Sequence, residues 1–258
     1  MPVIKKNITA IQSFNNANLS LVKVANKYTI KYSGKPFVLE AGPASKKVQQ
    51  GFYAYKLKEK KRWDSVNHRC TEDVTGEHQL AVKVKCDCKN PTVDEDLFET
   101  VLQQIQEFVR IALIKNKDLT DTQSSKQLSP LLQYPKALNF DTSKPVKTKD
   151  GEFVYRAGMS PIVYLNCLYS ATPSKFIEQK HTIFKVVGGR GNGGKVEFLT
   201  ENEVDKNVHF QGAYFIEFGD VYKCNSTWYI KAKLLIAIVT TIELNDIKLG
   251  DLGADYVI

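Results

Sequence analysis

Gly212-Ala-Tyr-Phe-Ile-Glu-Phe-Gly219 and Thr227-Trp-Tyr-Ile-Lys-Ala-Lys-Leu-Leu-Ile-Ala-Ile-Val239 decide the fold. In the second arm Trp228, Ile230, Ala232, Leu234, Ile236 and Ile238 fall at every second position. Tyr229, Lys231 and Lys233 fill alternate ones. Successive side chains of a strand point to opposite faces, so this spacing predicts a strand with one buried face. Lys223-Cys-Asn-Ser226 supplies turn formers between the arms, so Val208 to Leu244 reads as two long strands and a short turn. Strands this long exceed the needs of a small flat sheet. They point to a strand shared between sheets, or one that helps to close a barrel. The face with Tyr229, Lys231 and Lys233 is either solvated strand surface or the floor of a site for an anionic, stackable ligand.

Upstream, the pattern is mostly strand. Leu19, Val22 and Val24, then Tyr28, Ile30 and Tyr32, alternate with polar residues before the turn-forming Ser33-Gly34-Lys35-Pro36. Leu80, Val82 and Val84 alternate with Lys83 and Lys85. Ile162 to Leu168 and Phe176 to Val187 read as further strands. One segment has the helical period. Thr92 and Glu95 have the spacing of a capping box, and Asp94, Glu95 and Asp96 suit the positive end of a helix dipole. Leu97, Val101, Ile105, Phe108 and Ala112 then recur at helical spacing, with Leu102 and Val109 widening the stripe and Lys115 and Lys117 at its end. The expectation is a single β-rich domain over residues 1–258. Its core is an OB-like barrel with additional strands, and one long amphipathic helix lies in an insertion near 92–135.

Composition sets limits rather than a function. The 258 residues are 43% hydrophobic, enough for a core, and carry a formal net charge of +8. Such an excess permits an anionic partner without specifying one. The longest apolar run, Leu234 to Val239, is far shorter than the ~20 residues of a membrane helix, so no membrane association is expected. Met1-Pro-Val-Ile-Lys-Lys-Asn7 has no apolar leader core, and the cysteine count is odd at five. Together these point to a non-secreted protein with reduced thiols.

Catalytic signatures are weak. Gly189 to Lys195 fits G-x-x-x-x-G-K, but Val196 stands where Ser or Thr is needed, and strand-like residues follow where a phosphate cradle requires a helix. The loop reads as a hairpin connection with Arg190 and Lys195 free to meet phosphates. His68-x-Cys70 and Cys86-x-Cys88 supply four zinc-ligating residue types at atypical spacing, so thiols packed as small hydrophobes are expected, with no metal and no cofactor. Cys167 lies in an apolar strand, His181 and His209 are isolated, and Gly-x-Ser-x-Gly is absent, so no enzyme is expected.

Cations and rings coincide instead. Phe52, Tyr53, Tyr55 and Trp63 interleave with Lys56, Lys58, Lys60, Lys61 and Arg62. Lys147, Lys149, Tyr155 and Arg156 form a second such group. Lysine and arginine follow a phosphate track, and unpaired bases stack on aromatic faces without regard to sequence. No helix-turn-helix, zinc finger or basic helix for reading a duplex is present.

Gly158-Met-Ser-Pro-Ile-Val-Tyr-Leu-Asn-Cys-Leu-Tyr169 and Trp228 to Val239 resemble the single-stranded DNA-binding proteins of large cytoplasmic DNA viruses, the poxvirus and asfarvirus type, over roughly residues 137 to 244. The resemblance implies an OB-type barrel that coats single-stranded DNA, or RNA as the other candidate, during replication. It further implies replication proteins as partners, self-association on the strand and a place in the host cytoplasm. The stretch after Leu244 is only mildly acidic, unlike the long acidic tails with which many strand-coating proteins recruit partners. The second reading is a structural or scaffold protein of a virus or replication complex that touches no nucleic acid. A zinc-stabilised nucleic-acid enzyme, or the cofactor of one, is the third.

Overall fold

Two long strands, β13 (Val208–Cys224) and β14 (Thr227–Leu244), pair antiparallel through a two-residue turn in which Asn225 takes a φ of +53°. In this computed structural model residues 7–42, 52–59, 61–64, 69–72, 77–121, 127–139, 143–149, 153–156, 158–168, 183–186, 197–198 and 208–244 are described. The pairing slips at three places along the hairpin. At one, Phe215 faces Ile236 and Ile216 faces Leu234, so Leu235 is an extra residue in β14. A bulge of this kind moves every later side chain to the other face. Trp228, Ala232 and Leu234 are buried before it, whereas Ala237 and Val239 are buried after it and Ile236 and Ile238 are half-buried. The single alternating phase read from the sequence therefore holds only as far as Leu234.

The remaining strands are β1 (Asn7–Ala10), β2 (Leu19–Val24), β3 (Lys27–Tyr32), β4 (Lys35–Ala41), β5 (Phe52–Glu59), β6 (Lys61–Asp64), β7 (Arg69–Glu72), β8 (Glu77–Lys83), β9 (Leu132–Gln133), β10 (Ile162–Leu168), β11 (Ile183–Val186) and β12 (Glu197–Phe198). One edge of β13 is divided among three partners. Asp220 to Tyr222 meet β3, Tyr214 to Phe218 meet β4, and Phe210 to Gly212 meet β5. The long strand thus lies within one sheet, with different partners along its length, rather than being shared between two sheets as expected. β2 pairs with β3 and β1 with β4 in one wing of that sheet, while β5, β8 and β10 follow one another in the other.

The sheet is mixed and open, with β1, β2 and β12 at edges, so it is not the closed barrel expected from the sequence. The reason lies where β10 approaches β14. They share one parallel pair, Asn166 with Lys233, reinforced by the Asn166 side-chain amide donating to the Ala232 carbonyl over 3.4 Å. Towards the start of β10 they are separated by a wedge. Here β9 pairs with Ile162 and Val163, and the Ser129 N–H donates to the Trp228 carbonyl at 2.8 Å. The strand pairings β13–β5–β8–β10–β14–β13 still run in a circuit.

The helix α1 (Val93–Lys115) starts where its sequence says it should. Thr92 Oγ1 accepts from the Glu95 N–H, and the Glu95 carboxylate accepts from the Thr92 N–H. Phe98, Val101, Leu102, Ile105, Val109 and Leu113 are buried in the same core as Leu80, Val82, Val163, Leu165, Tyr214 and Leu234. The buried stripe is rotated slightly from the expected one, leaving Leu97 and Phe108 half-buried.

Candidate functional site

Between α1 and β10 the chain makes a platform of three short hydrogen-bonded segments. Lys136 bridges to Tyr155, Leu138 to Pro145 and Lys147 to Phe153, all antiparallel. The Ala137 N–H donates to the Val154 carbonyl, Val146 N–H to Ala137, Val154 N–H to Val146, and Arg156 N–H to Pro135, each at 2.8–3.0 Å. Directly opposed residues share a face, and neighbours along a segment alternate. One face therefore carries Tyr134, Lys136, Lys147, Lys149, Phe153 and Tyr155. Contacts across the platform agree with that register. The Lys136 ammonium sits 3.6 Å from the Phe153 ring centre and the Lys147 ammonium 5.0 Å from it, and the Tyr134 and Tyr155 rings meet edge to face at 5.9 Å. Lys136, Lys147, Lys149 and Tyr155 are all exposed.

The platform is braced on the core. The Tyr134 hydroxyl donates to Glu99 Oε1 at 2.6 Å and accepts from Gln103 Nε2 at 2.8 Å, both on α1. Burial, followed by the hydrogen bond to Glu99, pushes the Tyr134 phenol up to about 12. The other Glu99 oxygen accepts from the Lys85 ammonium at 2.8 Å, which also reaches Asp96 at 2.6 Å. Burial alone would favour the neutral amine of Lys85, but these two carboxylates hold it above the usual lysine range. At the platform's far end the buried Ser160 hydroxyl accepts from the Lys85 N–H at 2.8 Å. Tyr155 is thus an open ring resting on a fixed one.

A second pair of rings stands on the long hairpin. Tyr222 and Tyr229 face each other across β13 and β14 and stack at 5.7 Å, with 24° between their planes. Both are exposed and continue a cross-sheet row with Lys27 and Val24. Lys231 and Lys233, two and four residues on, are half-buried. Tyr229 follows Trp228, whose carbonyl holds Ser129, and Tyr134 lies five residues beyond Ser129. Five residues span at most ~18 Å. The two ring pairs therefore flank the same wedge.

The structure groups the sequence-predicted residues unevenly. Lys147, Lys149 and Tyr155 share one platform face, but Arg156 takes the alternate position and stands on the other face. The Phe52 to Trp63 group divides between two strands. Phe52, Tyr53, Tyr55, Lys56 and Lys58 lie on β5 in the large sheet, whereas Lys61, Arg62 and Trp63 lie on β6, which pairs only with β7 among the described residues. The start of β5 runs beside the platform end of the sheet, because Tyr53 is in register with Lys83 and Lys83 with Ile162. Lys60, Arg190, Lys195 and His68 lie outside the described residues, as does the glycine-rich loop, which the strand β12 follows.

Among the described residues no three metal-ligating side chains come together. The Cys167 thiol is buried in β10, and that burial pushes it up to about 12, far from the range of a nucleophile. Tyr134, Lys136, Phe153 and Tyr222 were missed in the sequence. The signal was there in Tyr134-x-Lys136-x-Leu138 and Phe153-x-Tyr155, each with the period of a strand. No protein-family model matches this chain, and no curated protein is significantly similar to it.

Proposed function

We propose that this chain binds single-stranded nucleic acid with little sequence preference, by binding alone and without catalysis. The observation that carries the reading is the platform face, on which ammonium groups and rings alternate and an exposed tyrosine rests on a braced one. Rings accept any base by stacking, and lysines meet the phosphates between them. The Tyr222–Tyr229 pair offers a second pair of exposed stacking faces on the long hairpin.

The circuit of five strands favours an OB-type core for this activity. In chain order β5, β8, β10, β13 and β14 are the first to fifth, and they neighbour one another as first, second, third, fifth, fourth and first again. A partly open, five-stranded Greek-key barrel is the architecture that binds oligonucleotides across its second and third strands and adjoining loops. The platform joins those strands here, since it lies between β8 and β10. On this reading the chain coats single strands in the manner of the large-DNA-virus proteins it resembles, with DNA as the first candidate and RNA as the second.

Titration of a labelled oligo-dT at rising salt tests the proposal. Binding should be tight at low salt and weaken linearly on a log–log plot, because bound lysines release counterions. Absence of binding at low salt rejects it. The scaffold reading draws support from Val22 and Val24, which stand 37% and 48% exposed on the edge strand β2. Stable assembly in sedimentation that does not respond to added oligonucleotide would favour it.

A further inference from the structure

We propose that Phe153 is a brace for two lysines, and that Lys136, Phe153 and Lys147 form a clip for the phosphodiester backbone in which the cations, not the ring, meet the ligand. The inference rests on the single-strand reading above and adds to it a division of labour among the aromatic residues.

The argument starts from what already occupies each ring. Lys136 places its ammonium 3.6 Å from the centre of Phe153, and Lys147 places its own at 5.0 Å. A cation at such a distance is held by the negative face of the ring. Both lysines arise from segments bonded to the Phe153 segment or to its neighbour, and both share its face. The two nitrogens can be no further apart than the sum of those distances. An ammonium has three donors, and the ring engages only the side turned towards it. The remaining donors are exposed, as the two lysines are. Two long, flexible side chains are thereby held near one point on the surface, which is what a doubly coordinated phosphate needs.

A base seeking the same face of Phe153 would have to displace Lys136. Tyr155 differs, because Tyr134 meets its ring edge to face and it remains 53% exposed. The ligand class assigned to the clip is therefore any flexible phosphodiester chain, whether or not it carries bases. Tyr155 and the hairpin tyrosines are left to supply base stacking.

The test compares an oligo-dT with an abasic oligonucleotide of equal length, each titrated across salt. In the Lys136→Gln, Lys147→Gln double variant the log–log salt slope should become shallower by about 0.7 on both probes, since the clip neutralises one phosphate and each neutralised single-strand phosphate contributes ~0.7. Phe153→Leu should weaken both probes and flatten both slopes, and Phe153→Tyr should restore them, which also controls for folding. If Phe153→Leu weakens only the base-bearing probe and leaves the slope unchanged, the ring stacks on bases and the clip is refuted while the single-strand reading stands. If the double lysine variant keeps the full slope, the clip is likewise refuted. Failure of the unaltered chain to bind oligo-dT would remove the underlying reading instead.

Discussion

Replacing Glu95 by alanine is the sharpest test of how the helix is anchored to the sheet. This carboxylate is only 3% exposed and accepts three hydrogen bonds. One oxygen takes the Cys86 N–H at 2.6 Å, and the other takes the Thr92 N–H at 2.8 Å and the Thr92 hydroxyl at 3.0 Å. It therefore closes the capping box and ties the end of β8 to the start of α1. Glu95→Ala strips two main-chain donors of their partner. An unsatisfied buried donor costs ~1–3 kcal/mol. Cys86 and Thr92 are half-buried, so water relieves part of that cost. The expected loss is about 2–3 kcal/mol, with Glu95→Gln losing roughly half as much because one acceptor oxygen survives. Urea unfolding, compared at equal slope, measures it, and hydrogen exchange at the Cys86 and Thr92 amides locates it. A loss below ~0.5 kcal/mol for Glu95→Ala, with both amides still protected, would show that the carboxylate does not hold this junction.

Tyr155→Ala should weaken oligo-dT binding by ~1–3 kcal/mol, about 5- to 150-fold, while shifting the unfolding midpoint little, since the ring is half in solvent; a large loss of stability with unchanged affinity would contradict it. Gly212→Ala should abolish soluble protein or cost at least ~2 kcal/mol in urea, because the added carbon would sit 2.1 Å from the Ile238 carbonyl oxygen where β13 and β14 close up. Stability should fall at alkaline pH. Burial raises Tyr28, Tyr134 and Cys167 each to about 12, helped by Asp118 and Glu99 at the two phenols, so the folded state keeps these protons longer than the unfolded chain does. Their contribution is complete below the ordinary values of 10.0, 10.0 and 9.0 and is lost as pH rises from there towards 12, visible as a urea midpoint that is level near neutrality and then declines.

What could be read in advance followed from local rules. Thr92 and Glu95 mark a helix start through contacts three residues apart, and Asn225-Ser226 marks a turn through its own backbone preference. The bulge at Leu235 carries no such mark. Leu234, Leu235 and Ile236 are all apolar, so nothing in the residues says where the phase will change; the partners Phe215 and Ile216 decide it from the other strand. The platform was hidden for a related reason. Pro135 and Pro145 interrupt the segments that carry its alternation, and its hydrogen bonds join residues as far apart as Pro135 and Arg156. In sequence, residues 140–151 read as an exposed basic loop feeding a strand over 152–156, and the pairing among the described segments shows only when they are laid side by side. The open seam between β10 and β14 was equally unreadable, because the wedge that fills it is a two-residue strand.

The long hairpin also governs the order in which this chain acquires its structure. β13 and β14 meet across a turn of two residues, a contact that closes in microseconds once the segment exists. Every strand that β13 serves on its other edge, β3, β4 and β5, waits for a partner more than a hundred residues away along the chain. Before Val208–Leu244 has been synthesised, those edges have bare main-chain donors and acceptors, the condition in which nascent β proteins stick to one another. A chaperone that shields the first half during translation would therefore raise the yield of folded protein more than any treatment applied after release.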